Sequence, residues 1–214
     1  NIDVTATSHS YVWRKKKVHV PVGGKFNVSN SLAAATVAAS LGVDIIDIIS
    51  GLAATGTVAG RFQSISNGAP FDVIVDYAHT PDAVTRILAT LRKSVSGRII
   101  AVLGCGGDRD KAKRPIMGRE LLEGSDLAIF TSDNPRSEAP EAILAEMIAG
   151  LELKENSTTL VDRREAIAFA VTNALAGDCV VILGKGHETG QEIAGKKFAF
   201  DDRIELARAI EELA

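Results

Sequence analysis

The chain has 214 residues, 46% of them hydrophobic, 24% charged and 5% aromatic, with a formal net charge of −3. A chain of that size and composition buries a sizeable core, as one large domain or as one domain plus a smaller piece. Both signs of charge are spread along the sequence, which argues against a nucleic-acid footprint and against a polybasic membrane anchor. The two cysteines, Cys105 and Cys179, are far apart and lack metal-ligand spacing. Cys179, in "DCVVIL", reads as a small buried hydrophobe, and the absence of a disulfide framework fits a reducing cytoplasm. No apolar run reaches the roughly 18 residues of a spanning helix, and no charged-then-apolar leader is visible. The expected setting is therefore cytoplasmic, with neither nucleic acid nor membrane as a partner. The sequence opens on "NIDVTATSHSY" without a methionine, which reads as a piece of something longer.

In chain order, "KKVHVPV" (16–22) alternates like a half-exposed strand, and "NVSNSLAAATVAASLG" reads as an alanine-rich helix ending at Gly42. A second helix runs from Asp44 to about Gly51–Ala53. "TGTVAGRFQSI" is turn-rich, and a domain boundary is expected within it, dividing residues 1–58 from 59–214. From there strand, loop and helix alternate: "FDVIVDYAHTPDAVTRILATLRKS", "GRIIAVLGCGGDRDKAKRPIMGRELLEG", "DLAIFTSDNPRSEAPEAILAEMIAGL", "STTLVDRREAIAFAVTNALAG" and "DCVVILGKGHETGQ". "KFAFDDRIELARAIEELA" closes with a short strand and a helix. Short apolar strands alternating with longer helices predict an α/β fold, a Rossmann-like, doubly wound, mostly parallel sheet. Ligands of such sheets bind beyond the carboxyl ends of the strands, so the polar residues after each strand are the candidates.

Four loops stand out. In "DYAHTPDA", Thr80 and Pro81 make a helix start. Asp76 and His79 lie before it, an acid suited to sugar hydroxyls and a histidine suited to phosphate. "GCGGDRDKAKRP" imitates a dinucleotide fingerprint, but Arg109 stands where the third glycine belongs. That weakens a nicotinamide-cofactor reading; Arg109 instead suits a carboxylate or phosphate. "DNPR" puts Asp133, Asn134 and Arg136 together at a strand end, with Pro135 stiffening the turn. An acid, an amide and an arginine there complement a zwitterion, and the following "SEAP" reads as a helix-start signal. "GKGHETGQ" exposes backbone at Gly184 and Gly186 and offers Glu188 to an amine. It lacks the partners of a zinc site, so no metal ligands are expected. "GQEIAGKK" nearly matches a phosphate-binding P-loop but has Lys197 for the required Ser/Thr, and reads as a hairpin turn.

Taken together, "GKFNVSNSLAAATVA", "VAGRFQ", "VDYAHTPDA", "GCGGDRDKAKRP", "DNPR" and "GKGHETGQ" resemble, in their order, the Mur ligases of bacterial peptidoglycan synthesis. In that family "DNPR" marks the members that add meso-diaminopimelate to UDP-MurNAc-L-Ala-D-Glu. The resemblance implies an ATP-dependent amide ligation through an acyl phosphate, with ATP and Mg2+ required. It implies that Arg136 grips the distal carboxylate of diaminopimelate, with Asp133, Asn134 and Pro135 completing the loop. Arg109 adds a carboxylate contact, and Gly184 and Glu188 hold the distal ammonium. On the nucleotide side it implies Asn27 and Asn30 near adenine, Arg61 and His79 near the phosphates and Asp76 on the ribose. A helix N-cap is the competing role for Asn27. Residues 1–58 would be the end of the central ATP-binding domain and 59–214 the amino-acid-binding domain. The P-loop, the metal ligands and the UDP-sugar domain would lie upstream, leaving no catalytic residue in this chain, no turnover by it alone, and a monomer. The alternatives are a lysine-adding or folylpolyglutamate-type ligase, which "DNPR" disfavours, and a non-catalytic amino-acid-binding module.

Overall fold

The computed structural model describes residues 2–65, 68–153 and 155–213. Its larger part is a six-stranded sheet. The strands are β4 (Gln63–Ser64), β5 (Asp72–Asp76), β6 (Ile99–Cys105), β7 (Leu127–Ser132), β8 (Ser157–Thr159) and β9 (Cys179–Leu183), and their order is β4-β5-β9-β6-β7-β8. All neighbours are parallel except β4 and β5. The four inner strands read as near-continuous apolar runs because helices cover both faces.

On one face, α3 (Pro81–Leu91), α4 (Arg114–Gly124) and α5 (Pro140–Met147) bury Leu88, Leu121 and Met147 against Ile74, Leu103, Phe130 and Val181. On the other, α6 (Arg163–Thr172) and α7 (Asp202–Glu211) bury Ile167 and Leu206 against Val75, Val102, Ile129 and Val180. Side chains alternate between the two cores along each strand, as period-two geometry requires. The crossovers that step from β5 to β6, β7 and β8 use the first face, and the return from β8 to β9 uses the second. That is the arrangement right-handed crossovers demand. The loops after β5, β6, β7 and β9 consequently leave one edge of the sheet.

The N-terminal part is a separate antiparallel sheet, β1 (Ile2–Val4), β2 (His9–Trp13) and β3 (Lys16–Val20), against α1 (Lys25–Ser40) and α2 (Ile45–Ala53). Tyr11, Val18, Val20, Val22 and Val28 form its small core. Ala6 and Phe62 belong instead to the larger core. The expected strand at Lys16 and the helix starting after Asp44 are present, and Asp44 caps α2 by accepting from the Ile46 N–H at 2.7 Å. β1, β2 and the two-residue β4 were not foreseen.

One helix start differs from expectation. Helix α1 begins at Lys25 with Gly24 in the cap position, so Asn27 lies inside the first turn and is not the N-cap; its Nδ2 donates to the Gly23 carbonyl at 2.7 Å. Helix α5 begins at Pro140, inside "SEAP" as expected, but after Ala139 and with no side-chain cap. Ser137 of "SEAP" donates instead to Asp108 at 2.6 Å, tying two loops together. Thr80 does cap α3, with Pro81 following it. The last two strands, β10 (Gly190–Ile193) and β11 (Lys196–Ala199), form an antiparallel hairpin outside the main sheet. Its turn is Ala194–Gly195, both at positive φ, which is the hairpin that "GQEIAGKK" suggested. Among the described residues, no helix is long and apolar enough to cross a membrane.

Candidate functional site

The sheet's carboxyl edge opens into a cavity of about 210 Å3 whose walls include Arg109, Asp133, Asn134, Arg136, Gly184 and Glu188. Six of the seven residues expected to hold the amino acid thus face one space; Pro135 does not line it. His79 is in the wall as well, with Tyr77, Cys105, Lys113 and Met117. A larger cavity of about 510 Å3 adjoins it, sharing Asn134, Arg136 and Glu188 and bounded by the β10–β11 hairpin.

The loop after β7 is built by its neighbours. Gly107 is required because a Cβ there would lie 1.8 Å from the Pro135 carbonyl oxygen. Its N–H donates to the Asn134 carbonyl at 2.9 Å, and its own carbonyl accepts from Arg136 Nη1 at 2.7 Å. Arg136 sits at φ 55°, a left-handed conformation unusual for arginine. The hairpin holds it there: the Arg136 N–H donates to the Glu192 carbonyl at 2.9 Å, and the Ala194 N–H to the Arg136 carbonyl at 2.7 Å. The guanidinium is 22% exposed, and Nη2 has no acceptor among the described residues, so a donor remains for an incoming carboxylate.

Beneath it lies a closed charge network. Asn134 Nδ2 donates to Asp133 Oδ1 at 2.9 Å and to Glu188 Oε2 at 2.8 Å. Asn134 Oδ1 accepts from Lys185 Nζ at 3.2 Å and from the Glu192 N–H at 2.9 Å. Lys185, wholly buried, also reaches Glu188 Oε2 at 3.1 Å. Burial works against the ionised form of Glu188, but the Asn134 and Lys185 hydrogen bonds outweigh it and hold its carboxyl below the usual range. For Asp133, burial wins over the attraction of Arg163 and Lys185, and its carboxyl is raised. Gly184, at φ 108°, leaves room for Asp133: a Cβ there would lie 2.7 Å from Oδ2.

Lys185 was not among the sequence candidates, and neither was Arg163. The Arg163 guanidinium, fully buried, bonds the last carbonyls of β7 and β9 (Ser132 at 3.3 Å, Leu183 at 2.9 Å) while Asp202 grips it twice at 2.8 Å. Both residues sit in segments, "GKGHE" and "VDRRE", where a lone basic side chain reads as solvated; no local signal distinguishes them. Cys105, beside Met117 in the cavity wall, has its thiol pushed up to about 12, chiefly by burial.

The charged run after "GCGG" divides. Arg114 is buried and pairs with Glu138 at 2.8 Å and Glu146 at 2.7 Å, and donates to the Gly106 carbonyl at 3.1 Å. Lys111 pairs with Glu138 at 3.0 Å, and the Asp108 N–H donates to Glu138 at 2.7 Å. These residues fasten the loop after β6 to the one after β7. Among the described residues Arg109 has only its neighbour's carbonyl, 3.1 Å from Nη1, and it lines the cavity.

The five nucleotide-side candidates do not converge on one space. Of them only His79 lines the cavity. Asp76 accepts from the Phe62 N–H at 2.6 Å and the Ala78 N–H at 2.8 Å, so its carboxylate organises the backbone on either side. Burial raises its carboxyl, opposed by those two N–H groups and Arg61. Arg61 stacks 4.9 Å over Tyr77, whose ring lies 4.6 Å from that of His79. Asn30 is exposed on α1, donating to Asn27 Oδ1 at 3.0 Å. Among the described residues no three His, Cys, Asp or Glu side chains gather to hold a metal ion.

Residues 60–186 match the family model described as "Mur ligase, glutamate ligase domain". A UDP-N-acetylmuramoyl-L-alanyl-D-glutamate--2,6-diaminopimelate ligase of Gloeobacter violaceus is 50% identical over 192 residues, 89% of this chain and 39% of the relative. The enzyme of that name from Bacillus velezensis is 45% identical over 214 residues, 99% of this chain and 44% of the relative. The chain therefore spans about two-fifths of the length of these curated relatives. A solved structure of such a ligase superposes with a TM-score of 0.76 at 41% identity, covering 100% of this chain and 45% of the other. A Mycobacterium tuberculosis folylpolyglutamate synthase superposes at 0.67 with 22% identity, covering 86% and 44%; at that identity it speaks for the fold alone.

Proposed function

The chain belongs to the Mur ligase family, and we propose that it carries the amino-acid site of a ligase that adds meso-diaminopimelate to UDP-MurNAc-L-Ala-D-Glu. One observation carries the reading: Arg136 and Glu188, a cation and an anion from loops some fifty residues apart, face the same cavity with Arg109 beside them. A zwitterion bearing a distal carboxylate meets both charges, whereas an amino acid ending in an ammonium alone offers Arg136 no hydrogen-bonding carboxylate. Unpaired groups in a site built to bond them are what gives strong discrimination. The relatives named above are diaminopimelate ligases, which supports the same ligand.

In this reading Arg136 takes the distal carboxylate through Nη2, Arg109 adds a second guanidinium, and Glu188 with the Gly184 carbonyl receives the distal ammonium. The ligand is thereby held by one end, and its other amine is left to attack the acyl carbonyl. ATP, when bound, would supply the activation by passing its γ-phosphoryl group to the D-glutamyl carboxylate, with ADP as the leaving group. Arg61 and His79 are assigned to its phosphates, Asp76 to the ribose, and Asn27 and Asn30 to the adenine side. Asp76 keeps acceptor capacity beyond its two backbone bonds, since each carboxylate oxygen has two lone pairs. Among the described residues no cluster of carboxylates or histidines gathers to hold Mg2+. Residues 1–58 are assigned to the end of the ATP-binding domain and 59–214 to the amino-acid-binding domain. That division is supported by Phe62 lying in the larger core while Val22 and Val28 lie in the smaller.

Isothermal titration of the chain with meso-diaminopimelate, with L-lysine as control and Arg136→Ala alongside, tests the reading. Diaminopimelate is expected to bind, lysine to bind far more weakly, and the substitution to abolish the difference. Absence of diaminopimelate binding, equal binding of the two amino acids, or binding that survives the substitution overturns it.

A further inference from the structure

Arg136 already has an anionic neighbour within the chain. Its Nε lies 3.8 Å from Glu192 Oε2, with the two side chains 22% and 35% exposed. That separation is too long for a hydrogen bond, so the contact is an ion pair that exchanges partners at little cost. It is nevertheless built in. The Glu192 N–H donates to Asn134 Oδ1 and its carbonyl accepts from the Arg136 N–H, each at 2.9 Å. Those bonds fix the Glu192 backbone beside the arginine while its half-exposed carboxylate can turn. Arg136 borders both cavities, whereas Glu192 borders only the larger one, so the pair stands at the passage between them. Directly across the β10–β11 hairpin from Glu192 is Lys197, which borders the same larger cavity. Residues directly opposite in an antiparallel pair have side chains on one face and within reach.

We propose that Glu192 is a specificity-determining residue, a built-in carboxylate that occupies Arg136 until a ligand carboxylate displaces it onto Lys197. The inference rests on the amino-acid site proposed above. A ligand with a distal carboxylate must move Glu192 aside or meet its negative charge. A ligand without one leaves the Glu192–Arg136 pair intact and escapes the cost of stranding an unpaired guanidinium. Glu192 thus weakens binding of the dicarboxylate and softens rejection of its monocarboxylate analogue. Lys197 reduces the first effect by receiving the displaced group.

Two readouts on Glu192→Gln test this. The first needs no ligand: phenylglyoxal modification of Arg136, followed by peptide mass spectrometry, runs about two- to fivefold faster once the pair is lost, the range an exposed ion pair commands. The second is titration. Meso-diaminopimelate binds tighter by a similar factor and L-lysine does not. Lys197→Met weakens diaminopimelate binding in the chain with Glu192 and leaves it unchanged in the Glu192→Gln background. Equal modification rates, or weaker diaminopimelate binding in Glu192→Gln, overturn the inference and leave the proposed function standing. Faster modification with no diaminopimelate binding by either protein overturns the proposed ligand, and the specificity role falls with it.

Discussion

The loops after β7 and β9 and the loop after β5 leave the same edge of one sheet, yet their polar groups are employed differently. Asp133, Asn134, Lys185 and Glu188 are bonded to one another across two loops, so each fixes the next and the cavity wall is held by its own side chains. Asp76 is bonded to backbone N–H groups, and Arg61, Tyr77 and His79 stack in a partly exposed column. The contrast separates a mutually bonded pocket wall from a backbone-braced turn that reaches the same cavity only through Tyr77 and His79. Side chains that neutralise each other can be buried and held in place; side chains that brace their own backbone stabilise a loop without shaping a pocket.

The sharpest way to break the comparison is at the base of the first region. Asp202→Asn leaves the Arg163 charge buried and half-bonded, and it is expected to destabilise the chain by about 3–5 kcal/mol in urea unfolding. An effect below about 1 kcal/mol would mean that the strand ends do not depend on that pair. One step up, Lys185→Met removes the ammonium that holds Glu188 and Asn134. It is expected to weaken diaminopimelate binding at least about tenfold, roughly 1.4 kcal/mol, with the remaining affinity less sensitive to Glu188→Gln than in the parent.

Acid tests the fastening between the loops after β6 and β7. Arg114 and Lys111 hydrogen bonds hold the Glu138 carboxyl far below its ordinary value of 4.5. A depressed acid stabilises the fold above its unfolded value and loses that contribution as pH falls through the folded one, so the loss lies below about pH 4.5. Melting temperature is expected to fall in that window, and Glu138→Gln to flatten the slope. The smallest effect is assigned to the second region: Asn30→Ala, at an exposed site, should change stability by less than about 0.5 kcal/mol. Any loss of nucleotide binding in that variant then reports contact rather than unfolding.

The sequence made the parallel sheet and its four loops legible because strands buried on both faces are unbroken apolar runs, and the polar residues that follow them stand out. It could not show which charges would be interior. Lys185 and Arg163 look like any solvated basic residue until the partners Asn134 and Asp202 are brought over from elsewhere in the chain. Nor did it show that Ser137 and Glu138 of "SEAP", besides preceding the start of α5, close a loop over Asp108 and Arg114. The N-terminal strands escaped notice because "HSYVW" alternates over only five residues, and β4 contributes two. The competing role of Asn27 as a cap fails for a local reason: Gly24 at φ 87° takes the cap position three residues earlier.

Strand β9 lies between β5 and β6 although it is the last parallel strand in the chain. During synthesis, then, the middle of the sheet is the part that arrives late. Until Cys179–Leu183 has emerged, β5 and β6 each present an unpaired inner edge, the kind of template that invites wrong pairing. Closing them needs contacts between residues about a hundred positions apart, which slows folding. The hairpin that brackets Arg136 comes later still. Assembly of this chain therefore runs from the sheet's far strands inward, and the grip on a ligand is the last property it acquires.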